Sequence, residues 1–149
     1  MNKIILLVED NPSDEKLTLL AFKKCGVSNE FVVVRDGAAA LDYLFGTGPF
    51  AGRDTSALPT IVLLDLNLPK ISGLEVLARI RADERTKVLP VVILTASREE
   101  EDIVKGYSLG ANAYVRKPVE FAAFVEAART LGLFWLLLNE PAPVPRGSS

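Results

Sequence analysis

The stretch Thr60-Ile61-Val62-Leu63-Leu64-Asp65-Leu66-Asn67-Leu68-Pro69-Lys70 decides the fold. An apolar run of strand length ends on an aspartate and passes at once into a loop. The acid therefore falls at a strand tip, and in an open α/β sheet that edge is where ligands bind, so Asp65 reads as chemical rather than structural. Near the N-terminus Ile4-Ile5-Leu6-Leu7-Val8 runs in the same way into Glu9-Asp10. If the two strands are neighbours in a parallel sheet, three carboxylates converge on one spot. Such a cluster repels itself, and the usual remedy is a hard divalent cation with oxygen ligands.

Working outward, apolar runs of strand length alternate five times with stretches of helical period, the signature of a parallel sheet wrapped by helices. The first strand is expected over about Lys3 to Val8. Asn11 and Pro12 supply an N-cap and first-turn proline for a helix with Leu17, Ala21 and Cys25 inward, stopped by Gly26. Phe31 to Val34 is the second strand, and Gly37 to Phe45 a short helix with Leu41, Leu44 and Phe45 inward. Gly46 to Leu58 is a surface loop, and Thr60 to Leu64 the third strand. Ser72-Gly73 opens a helix presenting Leu74, Leu77 and Ala78. Val91 to Leu94 is the fourth strand, closed by Thr95-Ala96-Ser97, and Ser97 with Glu100 matches a capping box for a helix containing Ile103 and Tyr107. Asn112 to Arg116 is the fifth strand. A last helix begins near Val119 and buries Phe121, Phe124, Val125 and Ala128. Its continuation, Leu131 to Leu138, is apolar nearly all round, which points Leu133, Phe134, Leu136 and Leu137 away from the domain as a subunit interface and predicts a homodimer.

A chain of 149 residues with 49% hydrophobic and 24% charged residues fits one domain with a well-buried core. Residues 1–140 form that domain with its helical extension, and 141–149 a disordered tail in which Val144-Pro-Arg-Gly-Ser148 resembles a purification-tag remnant. The net charge of -2, with Lys and Arg scattered, argues against a nucleic-acid partner. The absence of a leader or an apolar run near membrane length predicts a cytoplasmic protein without a membrane partner. Cys25 is the single cysteine and reads as a small buried residue. The chain has no histidine, which excludes Ser/His/Asp and Cys/His triads, histidine-ligated zinc and an imidazole base.

What remains for chemistry lies at strand ends: Glu9 and Asp10 on the first, Asp65 on the third, Thr95 on the fourth and Lys117 on the fifth. Asp10 and Asp65 can each offer a carboxylate oxygen to a divalent ion, Glu9 can contribute through water, and the Asn67 backbone carbonyl can be a neutral ligand. A site this sparse suits Mg²⁺, or Mn²⁺, whose remaining shell is completed by water and a phosphate oxygen. Lys117 can balance phosphoryl charge, Thr95 can donate a hydroxyl, and the backbone N–H groups after Asp65 and at Ala96 can add donors. Asp65 is then the nucleophile, giving an acyl phosphate.

With Val8-Glu-Asp-Asn11, Leu64-Asp-Leu-Asn-Leu-Pro69 followed by Gly73, Leu94-Thr-Ala96 and Tyr114-Val-Arg-Lys-Pro118, the chain resembles the receiver domain of two-component response regulators over residues 3 to 130. The resemblance implies a flavodoxin-like (βα)5 fold, a doubly wound parallel five-stranded sheet of order 2-1-3-4-5. It also implies phosphoryl transfer from a sensor histidine kinase to Asp65, a cis Lys117-Pro118 peptide, and a switch in which Thr95 moves toward the phosphoryl group and Tyr114 follows. Leu66-Asn-Leu-Pro-Lys70 and Phe134-Trp-Leu look like the stand-alone regulators that partner bacterial phytochromes. Ile71 and Ser72 depart from the Met and Asp frequent at those places.

Other classes fit less well. A haloacid-dehalogenase-type phosphatase needs a second aspartate two residues after its nucleophile, where this chain has Asn67. A flavodoxin-like cofactor carrier would cradle phosphate in the first loop, which Glu9 and Asp10 would repel. A degenerate receiver acting as a scaffold is disfavoured because the five site residues are present.

Overall fold

A computed structural model describes residues 4–26, 29–95, 100–116 and 121–131. Strands β1 (Ile4–Val8), β2 (Glu30–Val34), β3 (Ile61–Leu64), β4 (Val91–Thr95) and β5 (Ala113–Arg116) form one parallel sheet in the order β2-β1-β3-β4-β5. This is the expected fold class and strand order. Helices α1 (Pro12–Lys24), α2 (Gly37–Phe45), α3 (Gly73–Ala82), α4 (Glu100–Ser108) and α5 (Phe121–Leu131) connect the strands and cover both faces.

The central strands are apolar throughout because successive side chains enter different cores. Leu6, Val8, Val62, Leu64, Val91 and Ile93 pack with Ala40 and Leu44 of α2 and with Val76, Leu77 and Ile80 of α3. Ile5, Leu7, Ile61, Leu63, Val92 and Leu94 pack with Ala21 and Phe22 of α1 and with Phe124, Val125 and Ala128 of α5.

The helix starts follow their caps. Asn11 Oδ1 accepts from the N–H groups of Ser13 (2.9 Å) and Asp14 (3.2 Å) at the head of α1. Ser72 Oγ accepts from Glu75 N–H (3.3 Å) at the head of α3. The inward stripes are partly shifted from expectation. In α1 the buried residues are Thr18, Ala21 and Phe22, while Leu17 and Cys25 are only half-buried. Tyr43 is buried in α2 and Phe45 is half-buried, and in α3 Val76 and Ile80 join Leu77 inside while Leu74 and Ala78 lie at the margin. Phe121 is 37% exposed: it is the first residue of α5, just ahead of the sheet-facing stripe Phe124, Val125 and Ala128. Tyr107 of α4 is likewise exposed, at 52%.

Two arginines organise the loops at the far edge of the sheet from the strand C-termini. Arg53 donates to the carbonyls of Tyr43 (2.6 Å), Ala57 (3.0 Å) and Asp54 (3.1 Å), and its guanidinium stacks 4.2 Å from the Tyr43 ring centroid. It thereby ties down the expected surface loop, which contains a 3-10 turn at Gly48–Phe50. Arg81 donates to the carbonyls of Leu89 (2.7 Å) and Gly110 (2.6 Å) and to Asn112 Oδ1 (3.0 Å). Burial pulls its pKa down from the ordinary arginine value. Asn112 Oδ1 also accepts from Val91 N–H (2.8 Å), so Asn112 caps the sheet and β5 proper begins one residue later than expected. The Ser97 capping box, the Lys117-Pro118 peptide, Leu133, Phe134, Leu136, Leu137 and the tail lie outside the described residues.

Phe22 is 2% exposed and meets the Phe31 ring edge-to-face at a centroid distance of 5.5 Å. Phe22→Ala is expected to destabilise the fold by about 3–5 kcal/mol in urea unfolding, the range for truncating a buried phenylalanine. A loss below about 1 kcal/mol would mean that α1 is not anchored this way.

Candidate functional site

Register brings the acids together. Val8 is paired with Leu64 across β1 and β3, so Glu9 and Asp65 leave the sheet at the same level. The Asp65 N–H still donates to the Val8 carbonyl (3.1 Å), and the Glu9 N–H donates to Val34 on the other side (3.0 Å). Carboxylate oxygens of Glu9, Asp10 and Asp65 lie within 4.8 Å of one another. Glu9 is 1% and Asp65 7% exposed, whereas Asp10 faces solvent. The cluster is thus open on one side only.

Donors partly offset this charge. Asp65 Oδ1 accepts from Thr95 Oγ1 (2.8 Å) and from the Asn67 N–H (3.0 Å). Glu9 Oε2 accepts from the Asn11 N–H (3.3 Å), and the extended backbone of Asn11 follows from its place as the N-cap of α1. The expected donor after Asp65 is therefore real, although here it serves the carboxylate itself. Thr95 closes β4, one strand over from β3, which sets its hydroxyl beside Asp65. Tyr114 on β5 is half-buried, with its ring centroid 6.4 Å from that of Tyr107. Lys117 and Ala96 lie outside the described residues.

The loop beyond Asp65 turns back tightly. The Gly73 N–H donates to the Leu66 carbonyl (3.0 Å), and a Cβ on Gly73 would lie 2.2 Å from the Asp65 carbonyl oxygen. Only glycine lets α3 start so close beneath the acid. The sequence marks Gly73 as a helix start and as part of the receiver-like motif after Asp65, whereas its contact with the Asp65 carbonyl depends on tertiary approach. Sequence reasoning missed the Asn11 backbone donor, for which the only available signal was an N-cap directly after two acids. At Lys70 the chain adopts φ +68°, a left-handed conformation that costs a non-glycine residue about 1–2 kcal/mol.

The donor set is all oxygen, anionic and compact, which suits a hard divalent cation and offers no thiolate or imidazole to a softer one. Glu9, Asp10 and Asp65 together fit divalent metal binding.

A doubly wound sheet of this order, with acids at the tips of its first and third strands and a hydroxyl facing them from the fourth, is the arrangement of receiver-type signalling modules. The chain belongs to the response regulator receiver domain family, whose model matches residues 5–129. Among curated relatives, a probable methanogenesis regulatory protein, FilR2, of Methanothrix harundinacea is 42% identical, covering 94% of this chain and 88% of its own. The response regulator Rcp1 of Synechocystis sp. is 38% identical over 90% of this chain and 89% of its own. Among solved structures, the bacteriophytochrome response regulator RtBRR is 55% identical with a TM-score of 0.78, covering 96% of this chain and 86% of that one. The phosphorylated cyanobacterial phytochrome response regulator RcpA is 38% identical with a TM-score of 0.85, covering 96% of this chain and 100% of that one. Rcp1 has also been solved in a Mn²⁺-bound form, with a TM-score of 0.83 and 35% identity, covering 95% of this chain and 99% of that one.

Asp10→Asn removes the exposed acid while keeping its shape. It is expected to weaken Mn²⁺ binding by about tenfold or more in calorimetry, with little change in unfolding free energy. Unchanged affinity would remove Asp10 from the ligand set.

Proposed function

We propose that this chain is a single-domain response regulator of a two-component phosphorelay, accepting a phosphoryl group on Asp65 from a sensor histidine kinase. The observation that carries the reading is the convergence of Glu9, Asp10 and Asp65 at one sheet edge, with Asp65 already hydrogen-bonded to Thr95. Asp10, Asp65 and the Asn67 carbonyl would hold Mg²⁺ or Mn²⁺, with Glu9 acting through water, and the cation would offset the charge of the acids and of the incoming phosphoryl oxygens. The Mn²⁺-bound form of Rcp1 and the phosphorylated form of RcpA support both halves of the reading.

In the transfer, an Asp65 carboxylate oxygen attacks phosphorus in line. The bond from phosphorus to the kinase imidazole nitrogen breaks, and its electron pair stays on that nitrogen. Lys117, one residue beyond β5, supplies the ammonium facing the phosphoryl group. The Thr95 hydroxyl exchanges its acceptor, from Asp65 Oδ1 to a phosphoryl oxygen, and Tyr114 follows into the space this leaves. The signal is then read on the surface formed by α4, β5 and α5. Water attack on the acyl phosphate resets the site, so the protein assists its own dephosphorylation without being an enzyme toward other substrates.

The kinase partner we infer is a bacterial phytochrome, on the strength of the names of RtBRR and RcpA. A cytoplasmic location and a homodimer held by Leu133, Phe134, Leu136 and Leu137 belong to the same reading. The dimer rests on the all-round apolar sequence from Leu131 to Leu138. Ending the chain before Leu133 is expected to shift sedimentation toward monomer, and an unchanged mass would exclude this interface.

Acetyl phosphate with Mg²⁺ is expected to add the mass of one phosphoryl group to the wild type and none to Asp65→Asn. Equal labelling of the two proteins would refute the assignment. Thr95→Val should still be phosphorylated, but the Tyr114 ring resonances should no longer respond. A response equal to that of the wild type would uncouple the two residues.

A further inference from the structure

The loop after Asp65 is fastened from the side by the corner between β2 and α2, and the fastening uses a residue in an unfavourable conformation. Lys70 is the one non-glycine residue with positive φ among the described residues. Glycine or asparagine would adopt that conformation more readily, so the lysine must be useful for its side chain. Its ammonium lies 3.5 Å from Asp36 Oδ2, with the lysine side chain 69% and the aspartate side chain 20% exposed. Asp36 is held in turn, because its other oxygen caps α2 by accepting from the Ala39 N–H (2.7 Å).

Backbone contacts run alongside the ion pair. The Gly37 N–H donates to the Pro69 carbonyl (3.4 Å), and a Cβ on Gly37 would lie 2.1 Å from the Ile71 carbonyl oxygen. The corner therefore touches the loop at Pro69, Lys70 and Ile71. Among the described residues the loop's other backbone hydrogen bonds are internal: Leu68 to Leu66, Ile71 to Pro69, and Gly73 to Leu66. Upstream of these contacts sits Asn67, whose N–H holds Asp65 Oδ1.

We propose that Asp36 and Lys70 are positioning residues, a clasp that holds the Asn67 segment in register with Asp65 and so sets the cation affinity of the carboxylate site. This rests on the metal-site reading above. The sign of one substitution separates the clasp from plain electrostatics. Removing a positive charge near an anionic cluster strengthens cation binding through space, whereas releasing the loop weakens it.

The experiment is a Mn²⁺ titration of the full chain by calorimetry, paired with amide spectra of the metal-free proteins. Lys70→Gln is expected to weaken binding about three- to tenfold, less than the roughly 10–100-fold of partners that touch a ligand directly, because Lys70 acts one step further away. It should also shift the Asn67 and Leu68 amides before any metal is added. Asp36→Asn keeps the helix cap, loses the ion pair and should weaken binding similarly. The double variant should be no worse than the weaker single one, since both changes release one contact. Lys70→Arg should restore most of the affinity. Lys70→Gln binding Mn²⁺ as tightly as the wild type, or more tightly, would overturn the clasp. A wild type that takes up no Mn²⁺ would instead bring down the metal-site reading, and the clasp with it.

Discussion

The structure turns on the mutual repulsion of carboxylates brought together at the ends of adjacent parallel strands. Glu9 and Asp65 are both buried and have oxygens within 4.8 Å of each other and of Asp10. At an effective dielectric constant of about 20, two such charges repel by roughly 3–4 kcal/mol. The fold tolerates this because it also delivers donors: Asn11 N–H to Glu9, and Asn67 N–H and the Thr95 hydroxyl to Asp65. The remaining excess negative charge is what a divalent cation can neutralise.

Each donor is placed by a different structural device. Asn11 is extended because it caps α1, Asn67 lies in a loop that turns tightly over Gly73, and Thr95 ends a strand in register with β3. The three devices belong to three different parts of the fold. The cluster is thus hydrogen-bonded to the start of α1, the loop before α3 and the end of β4. Tyr114, packed against the core and near the exposed ring of Tyr107, lies one strand beyond Thr95 but two residues further into the sheet, where it pairs with Ile93.

Much of this was legible in the sequence. Strands buried on both faces, such as Ile61–Leu64, stand out because every position is apolar, and the first polar residue after each marks the functional edge. Asn11-Pro12 and Ser72-Gly73 announce their helices because capping chemistry is local. The helix faces were harder to read. Phe22 rather than Cys25, and Ile80 rather than Leu74, carry the packing, because the buried stripe depends on how each helix lies across the twisted sheet. Phe121 was misread as buried because its type suits a core while its position at the head of α5 does not. The hubs at Arg53 and Arg81 are hard to read because their partners are mostly backbone carbonyls, which every sequence offers. The Asp36–Lys70 pair is hidden for a different reason: it links segments that only the β2–β1–β3 order brings together.

The most direct test of the central claim is where a paramagnetic cation settles. In amide spectra of the wild-type protein titrated with substoichiometric Mn²⁺, the signals of Glu9, Asp10, Asn11, Leu66 and Asn67 should broaden first and together. Those of Arg53, Asp54 and Glu84 at the opposite edge should persist. Loss of the distant signals while the strand-end set stays sharp would contradict the account.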